Sequence, residues 1–377
     1  MSHLATFRHD AHQSFVRARW ENAVSLGFAS RRRDQIVTSS LSEPKVIIIS
    51  LGGTIASTNT GVGASGVRPQ LSADDIVAAV PGLRQYADVE AVAFRQLPSG
   101  DLDLSDLTAL AKVIDAYFAE GAFGVVVVQG TDTMEETSFA LDLLVKGTGP
   151  VVVTGAMRNP TTAGADGPAN VLAAVQVAAS RAAQGLGTLV VVNDEIHAAR
   201  FVRKTHATNV ATFQSPSVGP IGWITEGHPR IVFRMTRLRT PTLGEGLVPP
   251  VALLTAVLGD DARLLNTIEG VGYAGLVIEA FGGGHVPAQI MPSLAALADR
   301  IPVILASRTG GGEVLRATYG FEGSERDMLS RGLISAGFLD GPKARVFLSL
   351  LLAHGFDRDA IRAAFDELNV SVSSFQQ

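Results

Sequence analysis

Cysteine is absent from all 377 residues, so the chain can form no disulfide, no thiolate metal site and no cysteine nucleophile. Basic residues are fewer than acidic ones, with 31 Lys and Arg compared with 36 Asp and Glu. The resulting net charge of −5 argues against nucleic acid or an anionic membrane as the main partner. No uninterrupted apolar run approaches the roughly 20 residues that span a bilayer. Without a recognisable secretory signal, we expect a cytoplasmic protein.

The residues that are present indicate a well-buried globular protein, with 46% hydrophobic and 18% charged residues. Its length exceeds what one hydrophobic core usually serves, which favours two domains. Short β-branched runs alternate with alanine- and leucine-rich segments of helical period. The predicted strands are 46–50, 124–129, 151–154, 189–193, 251–257, 276–280 and 303–307. This alternation predicts an α/β fold with a mostly parallel sheet flanked by helices.

Prolines and glycines interrupt every period between residues 238 and 250, which predicts an interdomain linker. The larger N-terminal domain is then 44–237, and the smaller C-terminal α/β domain is 251–377. Residues 1–43 differ in sequence pattern from the rest of the chain and contain the basic run 31–33. We predict that they form a poorly ordered N-terminal extension.

Two threonines follow predicted strands directly, each after a glycine: Thr54 after Gly53, and Thr131 after Gly130. The carboxyl ends of parallel strands are where open α/β sheets place ligands and catalytic groups. Each threonine alone could equally cap local backbone at a strand-to-loop corner. Two hydroxyls at two strand ends, with Asp132 beside one of them, favour a shared pocket.

Several blocks of sequence resemble the bacterial-type L-asparaginase family. They occur in the family's order from about Pro44 to the C-terminus, and they are residues 51–56 (LGGTIA), 129–137 (QGTDTMEET), 155–158 (GAMR), 165–168 (ADGP), 203–205 (RKT) and 210–213 (VATF). The glycine corner is a weak motif by itself, whereas the nine-residue block around Thr131 is specific. The resemblance implies hydrolysis of the asparagine side-chain amide to aspartate and ammonia, with no metal or organic cofactor.

The resemblance also implies a catalytic set. Thr54 matches the threonine that forms the acyl-enzyme. Thr131, Asp132 and Lys204 match the group that activates the nucleophile or water and contacts substrate. A neutral threonine hydroxyl is a poor nucleophile until a base or cation is near, which is the chemical reason for such a set. Without the resemblance, Lys204 would be interpreted as a solvated surface lysine, because Arg203-Lys204 is an ordinary basic pair.

Further positions match the substrate-binding residues of the family. Ser99 matches a serine that holds the α-groups of the substrate, and Asp132 matches the group that binds its ammonium. The carbonyl of Ala156 is expected to accept from the leaving amide, and Gly130 is expected to line the same pocket. Gly100 stands where the family has a glutamine that clamps the α-groups.

The sequence departs from the family at other points as well. The segment 57–71, which matches the mobile loop, lacks the tyrosine that assists the nucleophile, and Gly66 or a neighbour takes its place. Gln129 replaces a histidine, and an asparagine from a neighbouring subunit is missing around Gly259. The resemblance implies a homotetramer or at least a dimer, with residues 308–313, including Glu313, closing the pocket of another subunit.

These departures leave other functions open. One is a related amidase with a different small amide substrate, and another is a catalytically weak protein that binds an amino acid. An amidotransferase subunit that acts on aminoacyl-tRNA would need a structured N-terminal domain and a basic surface, and the net charge of −5 argues against the latter. A nucleotide-binding protein that uses Gly52 and Gly53 would need a G-x-G-x-x-G or P-loop motif at this corner, and that segment contains neither.

Overall fold

The computed structural model describes residues 43–52, 57–59, 67–69, 73–235, 237 and 247–373. Residues 43–377 form one compact unit, whose described residues contain a sheet of eight strands, a sheet of four strands and two short two-stranded pairs. The predicted domain boundaries stay a prediction, and much of the predicted linker, 238–246, lies outside the described residues. In the described part of the chain no helix is both long and apolar enough to cross a membrane.

Eight strands of the described residues form the large sheet. They are β1 (Lys45–Ser50), β4 (Asp88–Ala93), β5 (Gly124–Val128), β6 (Val151–Thr154), β7 (Thr188–Val192), β8 (Glu195–Ala198), β11 (Gly222–Thr225) and β12 (His228–Ile231), in the order β12-β11-β8-β7-β6-β5-β1-β4. Strands β4, β1, β5, β6 and β7 are parallel, whereas β8, β11 and β12 join by antiparallel pairing. Four of the five parallel strands, β1, β5, β6 and β7, are the buried, valine- and isoleucine-rich runs that the sequence predicts.

The order of these strands places a crevice at the ends of β1 and β5. The chain leaves β1 for β4 on one side, then returns across β1 to β5 on the other side. Successive loops therefore diverge between β1 and β5, and such a switch point is where open α/β sheets bind ligands.

The helices cover both faces of this sheet. They are α1 (Ala73–Ala78), α2 (Leu104–Ala119), α3 (Met134–Leu144) and α4 (Gly167–Ala178). Buried residues of α4 pack against one face, and those of α2 and α3 pack against the other. This three-layer arrangement confirms the predicted larger domain with helices on both sides.

The small sheet contains β13 (Val251–Thr255), β14 (Gly275–Ala280), β15 (Val303–Ser307) and β16 (Ile334–Ser335), all parallel. Its helices are α5 (Met291–Ala298), α6 (Glu325–Ser330), α7 (Gly341–Ala353) and α8 (Arg358–Ser373). Helix α7 packs on the small sheet and on α3, where the rings of Phe139 and Phe347 meet edge to face with centroids 6.5 Å apart. Helix α3 is thus enclosed between the two sheets.

Two short antiparallel pairs complete the fold: β2 (Ser57–Asn59) with β3 (Val67–Pro69), and β9 (Arg203–Lys204) with β10 (Phe213–Gln214). The sequence patterns missed these pairs, β4, the antiparallel strands β8, β11 and β12, the two-residue β16 and helix α6. Most are too short or too polar for a periodicity of two to stand out.

Helix α2 begins earlier than its sequence suggests. The motif at Ser105 predicts an N-cap there, but the N-cap is Asp103, whose side chain accepts from the N–H groups of Ser105 and Asp106. Asp106 accepts in turn from the N–H of Asp103, so the two aspartates form a capping box.

Candidate active site

The ends of β1 and β5 lie side by side. The N–H of Leu51 donates to the carbonyl of Val128 at 2.8 Å. Gly52 follows with φ of 103°, and a Cβ there would lie 2.7 Å from the carbonyl oxygen of Leu97. Only glycine fits this approach, which brings the exit of β1 against the loop that leads to Ser99. Thr54, the predicted nucleophile, lies outside the described residues, as does most of the predicted mobile loop.

Lys204 reaches the corner after β5, although it is distant in sequence. Its Nζ donates to Thr131 Oγ1 at 2.9 Å and to Asp132 Oδ1 at 2.6 Å. The lysine side chain is 14% exposed, and Thr131 is buried. The structure therefore brings three predicted catalytic residues together, and Lys204 is not the solvated surface lysine that its local sequence suggests.

The ion pair between Lys204 and Asp132 is open on one side. The side chain of Asp132 is 80% exposed, so its carboxylate stays solvated even without the lysine. A pair buried on both sides would cost about 3–5 kcal/mol when broken, whereas exposed pairs contribute up to about 1 kcal/mol. We therefore expect only a small effect of this pair on stability.

Ser99 lies against the same corner. A Cβ on Gly130 would stand 2.8 Å from Ser99 Oγ, so the absent side chain lets the serine approach the backbone before Thr131. The hydroxyl of Thr133 donates to the carbonyl of Ser99 at 2.8 Å and holds its loop in place. Gly100 is exposed, and a Cβ there would meet no atom within 4 Å. A Cβ at this position therefore meets no steric conflict.

The loop after β6 borders Thr131 on another side. A Cβ on Gly155 would lie 2.6 Å from the carbonyl oxygen of Gln129 and 3.1 Å from Thr131 Cγ2. Ala156, the next residue, is buried. Of the predicted site residues, the structure thus gathers Ser99, Gly130, Thr131, Asp132, Ala156 and Lys204 at one edge of the sheet, with Gly100 next to Ser99.

Asp166 and Asn170 support this loop, and sequence reasoning assigned neither of them that role. The sequence Asp166-Gly167-Pro168 is typical of an N-cap followed by a helix, but the Asp166 side chain makes no cap hydrogen bond and accepts instead from the N–H groups of Met157 and Arg158 at 3.0 and 2.9 Å. Asn170 Nδ2 donates to the carbonyl of Gly155 at 2.9 Å. The side chains at the start of α4 thereby fix the loop that carries Ala156.

Two glutamates in the first turn of α3 lie directly behind the site. Burial raises the pKa of Glu135, an effect that the nearby Lys343 ammonium opposes. Burial and the charge of Glu135 raise the pKa of Glu136 from 4.5 to about 7. Glu135 Oε2 accepts from the backbone N–H of Lys204 at 2.7 Å. The sequence placed Glu135 in the specific block around Thr131 but gave it no role.

Within the described ranges, no group of three or more His, Asp or Glu is placed to hold a metal ion. Besides backbone groups, the site offers hydroxyls, one carboxylate and one ammonium, which suit proton movement and the binding of a charged small molecule.

Comparison with known proteins agrees with this chemistry. A family model described as "Asparaginase, N-terminal" matches residues 45–237, and one described as "Glutaminase/Asparaginase C-terminal domain" matches residues 250–365. The chain belongs to the asparaginase family. The resemblance found in the sequence is thereby confirmed.

Relatives within the asparaginase family align over most of the chain. A probable periplasmic L-asparaginase of Haemophilus influenzae is 36% identical over 86% of this chain and 93% of its own length. The L-asparaginase 2 of Escherichia coli is 34% identical over 87% of this chain and 94% of its own length. A crystal structure of a probable cytoplasmic L-asparaginase from Campylobacter jejuni superposes with a TM-score of 0.78 at 32% identity and covers 85% of this chain and 99% of that one.

Proposed function

We propose that this asparaginase-family chain hydrolyses the side-chain amide of L-asparagine to aspartate and ammonia. The observation that carries the proposal is the contact of Lys204 Nζ with both Thr131 Oγ1 and Asp132 Oδ1 at the switch point of the large sheet. Several relatives that are 33–38% identical over most of the chain bear the name L-asparaginase. The site and the family therefore point to the same amide hydrolysis.

In the proposed reaction, the hydroxyl of Thr54 attacks the amide carbon and forms an acyl-enzyme. The C–N bond breaks, and the nitrogen takes up a proton and leaves as ammonia. The proton lost by the Thr54 hydroxyl balances the one that the nitrogen gains. Water then attacks the ester carbonyl, its oxygen becomes part of the side-chain carboxylate of aspartate, and one of its protons goes to the Thr54 oxygen as the ester bond breaks. Thr54 belongs to this proposal through the family resemblance and through its place just beyond the described end of β1.

Lys204 and Thr131 fit the task of moving protons in this reaction. Because Lys204 Nζ donates to Thr131 Oγ1, the threonine keeps its own hydrogen for another acceptor. The nearby ammonium also stabilises negative charge that develops on that oxygen. Thr131 can therefore polarise a water or pass a proton during either half of the reaction.

The substrate's charged end is proposed to lie against Asp132 and Ser99. An exposed carboxylate suits an incoming ammonium group, and Asp132 presents one at the rim of the site. Ser99 Oγ lies beside Gly130, and in this proposal it donates to the carboxylate of the substrate. The carbonyl of Ala156 would accept from the amide that leaves.

Self-association as a homotetramer or dimer is part of the proposal, with residues 308–313 closing the pocket of a second copy. The expected cytoplasmic location stays a prediction, since named relatives include both periplasmic and cytoplasmic proteins.

A coupled ammonia assay tests the function directly. The purified protein is incubated with L-asparagine, L-glutamine, D-asparagine and a larger amide, and ammonia release is followed with a matched blank for each. We expect L-asparagine to give the highest kcat/KM. A higher value with another amide would indicate a related amidase. Binding of asparagine without ammonia release would indicate an amino-acid-binding protein.

A further inference from the structure

The stretch of chain from Thr131 to Glu135 contacts Lys204 at both of its ends. Thr131 and Asp132 accept from the side-chain Nζ, at 2.9 and 2.6 Å. Glu135, at the start of α3, accepts from the backbone N–H of the same lysine through Oε2, at 2.7 Å. The two contacts to the ammonium and the one to the backbone together set how far the lysine side chain must extend.

The strand that carries Lys204 is short, and its pairing continues for one more residue, where the N–H of Thr205 donates to the carbonyl of Thr212 at 2.8 Å. Strand β9 contains two residues and pairs with the equally short β10, with Lys204 opposite Phe213 and Arg203 opposite Gln214. A ladder of this length fixes only a few backbone groups. The Glu135 carboxylate therefore provides an anchor for β9 that the short ladder does not supply.

Glu135 is held in turn by charges from the C-terminal part of the chain. It is buried, and the fully buried Lys343 ammonium from α7 is the cation that most strongly favours its charged form. Lys343 Nζ also lies 2.8 Å from Asp340 Oδ2, and that oxygen lies 3.4 Å from Arg203 Nε. The start of α7 thus contacts Arg203 of β9 through Asp340, while the charge of Lys343 acts on the carboxylate that binds the Lys204 N–H.

A buried carboxylate costs stability relative to an apolar side chain of similar volume, so packing alone does not explain a glutamate at position 135. The hydrogen bond from the Lys204 N–H to this carboxylate does explain it. We propose that Glu135 is a positioning residue that fixes β9 against α3 and so places Lys204 Nζ on Thr131 and Asp132. The inference rests on the proposed function, because it assigns Lys204 a part in amide hydrolysis.

Three substitutions of Glu135 separate its hydrogen bond from its charge. Glu135→Gln keeps an oxygen that can accept from the Lys204 N–H and removes the charge. Glu135→Asp keeps the charge, but its carboxylate ends about 1.5 Å short of the backbone N–H. Glu135→Ala removes both. Glu136→Ala is the matched control, since it removes the neighbouring glutamate, whereas the hydrogen bond to β9 comes from Glu135.

Steady-state kinetics with asparagine, at a temperature where every variant is folded, measures the effect. We expect Glu135→Asp and Glu135→Ala to lower kcat by about 10- to 100-fold, since a misplacement of about 1 Å can cost about a hundredfold. KM should change less than kcat. Glu135→Gln and the Glu136→Ala control should stay within about threefold of the parent kcat. A purely structural role would lower the Tm without this dependence on side-chain length.

Amide hydrogen exchange at Lys204 supplies a readout that needs no activity. Protection should fall in Glu135→Asp and Glu135→Ala and persist in Glu135→Gln. If the alanine variant does not fold, the aspartate and glutamine variants still give opposite expectations. The proposal is overturned if Glu135→Asp retains the parent's protection and kcat, or if Glu135→Gln loses as much as Glu135→Asp. Lys204→Met in the kinetic assay separates a failure of this inference from a failure of the proposed function. Full activity of Lys204→Met refutes the proposed catalytic set. An inactive Lys204→Met together with a normal kcat of Glu135→Asp refutes only this inference.

Discussion

Thr54 is the residue whose removal should affect the chemistry most. Thr54→Ala removes the only hydroxyl in the glycine corner that follows β1, so no acyl-enzyme can form there. We expect ammonia release from asparagine to fall by about a thousandfold or more, equivalent to about 4 kcal/mol of transition-state stabilisation. The exposed Thr267→Ala serves as a control and should keep the parent rate. Near-normal turnover by folded Thr54→Ala would transfer the nucleophile's role to Thr131.

Gly100 and Gly66 mark the positions at which the chain lacks side chains that the resemblance leads us to expect. One lost hydrogen bond to a charged group costs about 1.5–3 kcal/mol, which corresponds to a KM for asparagine raised by roughly 10- to 100-fold. We therefore expect a KM in the millimolar range, and Gly100→Gln should lower it, since a Cβ there meets no steric conflict.

The double variant Gly66→Tyr with Gly100→Gln should improve both kcat and KM in the ammonia assay. Glu120→Gln, on an exposed helix end away from the site, is a control that should alter neither. A micromolar KM in the unmodified protein would contradict the account, because it would mean that other residues already clamp the α-groups.

At the scale of elements, the first turn of α3 makes stability depend on pH. Glu136 titrates near 4.5 in an unfolded chain, and burial raises its folded pKa to about 7. The folded state thus binds more protons between these pH values. The contribution of Glu136 is favourable below about 4.5 and is lost as the pH rises through about 7.

Glu136→Gln should remove this dependence. At pH 8 we expect the variant to be more stable than the parent by up to about 3 kcal/mol, and at pH 4.5 the difference should be much smaller. Urea unfolding at pH 4.5, 6 and 8 measures both proteins. A stability difference that is equal at every pH would show that ionisation of Glu136 is not its source.

The elements also show what the sequence could and could not predict. The buried parallel strands follow from local patterns, and their bounds agree with the predicted ones within a few residues. The short β9 has no such pattern, because its place depends on pairing with β10 and on Glu135. The contact between Lys204 and Asp132 spans 72 positions, so only the resemblance suggested it before the structure. Asp166 is the N-cap residue of α4, as its sequence suggests, but its side chain binds the N–H of Met157 in the loop after β6 and does not cap the helix.

For the whole molecule, the account predicts self-association. Residues 308–313 lie in a loop after β15, and the proposal places this loop over the pocket of a second copy. A stable interface of this kind should bury well over about 1,000 Å² and repeat under two-fold symmetry. Light scattering coupled to size exclusion should give the mass of a tetramer or dimer. A fully active monomer would contradict the shared pocket.

The central claim is that Thr131, Asp132 and Lys204 act together on an amide. Its most direct test is kcat for ammonia release from asparagine by the parent and Lys204→Met, with the exposed Lys146→Met as control. The account predicts a loss of at least about a hundredfold in Lys204→Met and parent-like turnover in Lys146→Met. Because Asp132 is largely exposed, the Tm should fall only slightly. Unchanged turnover by Lys204→Met would contradict the account.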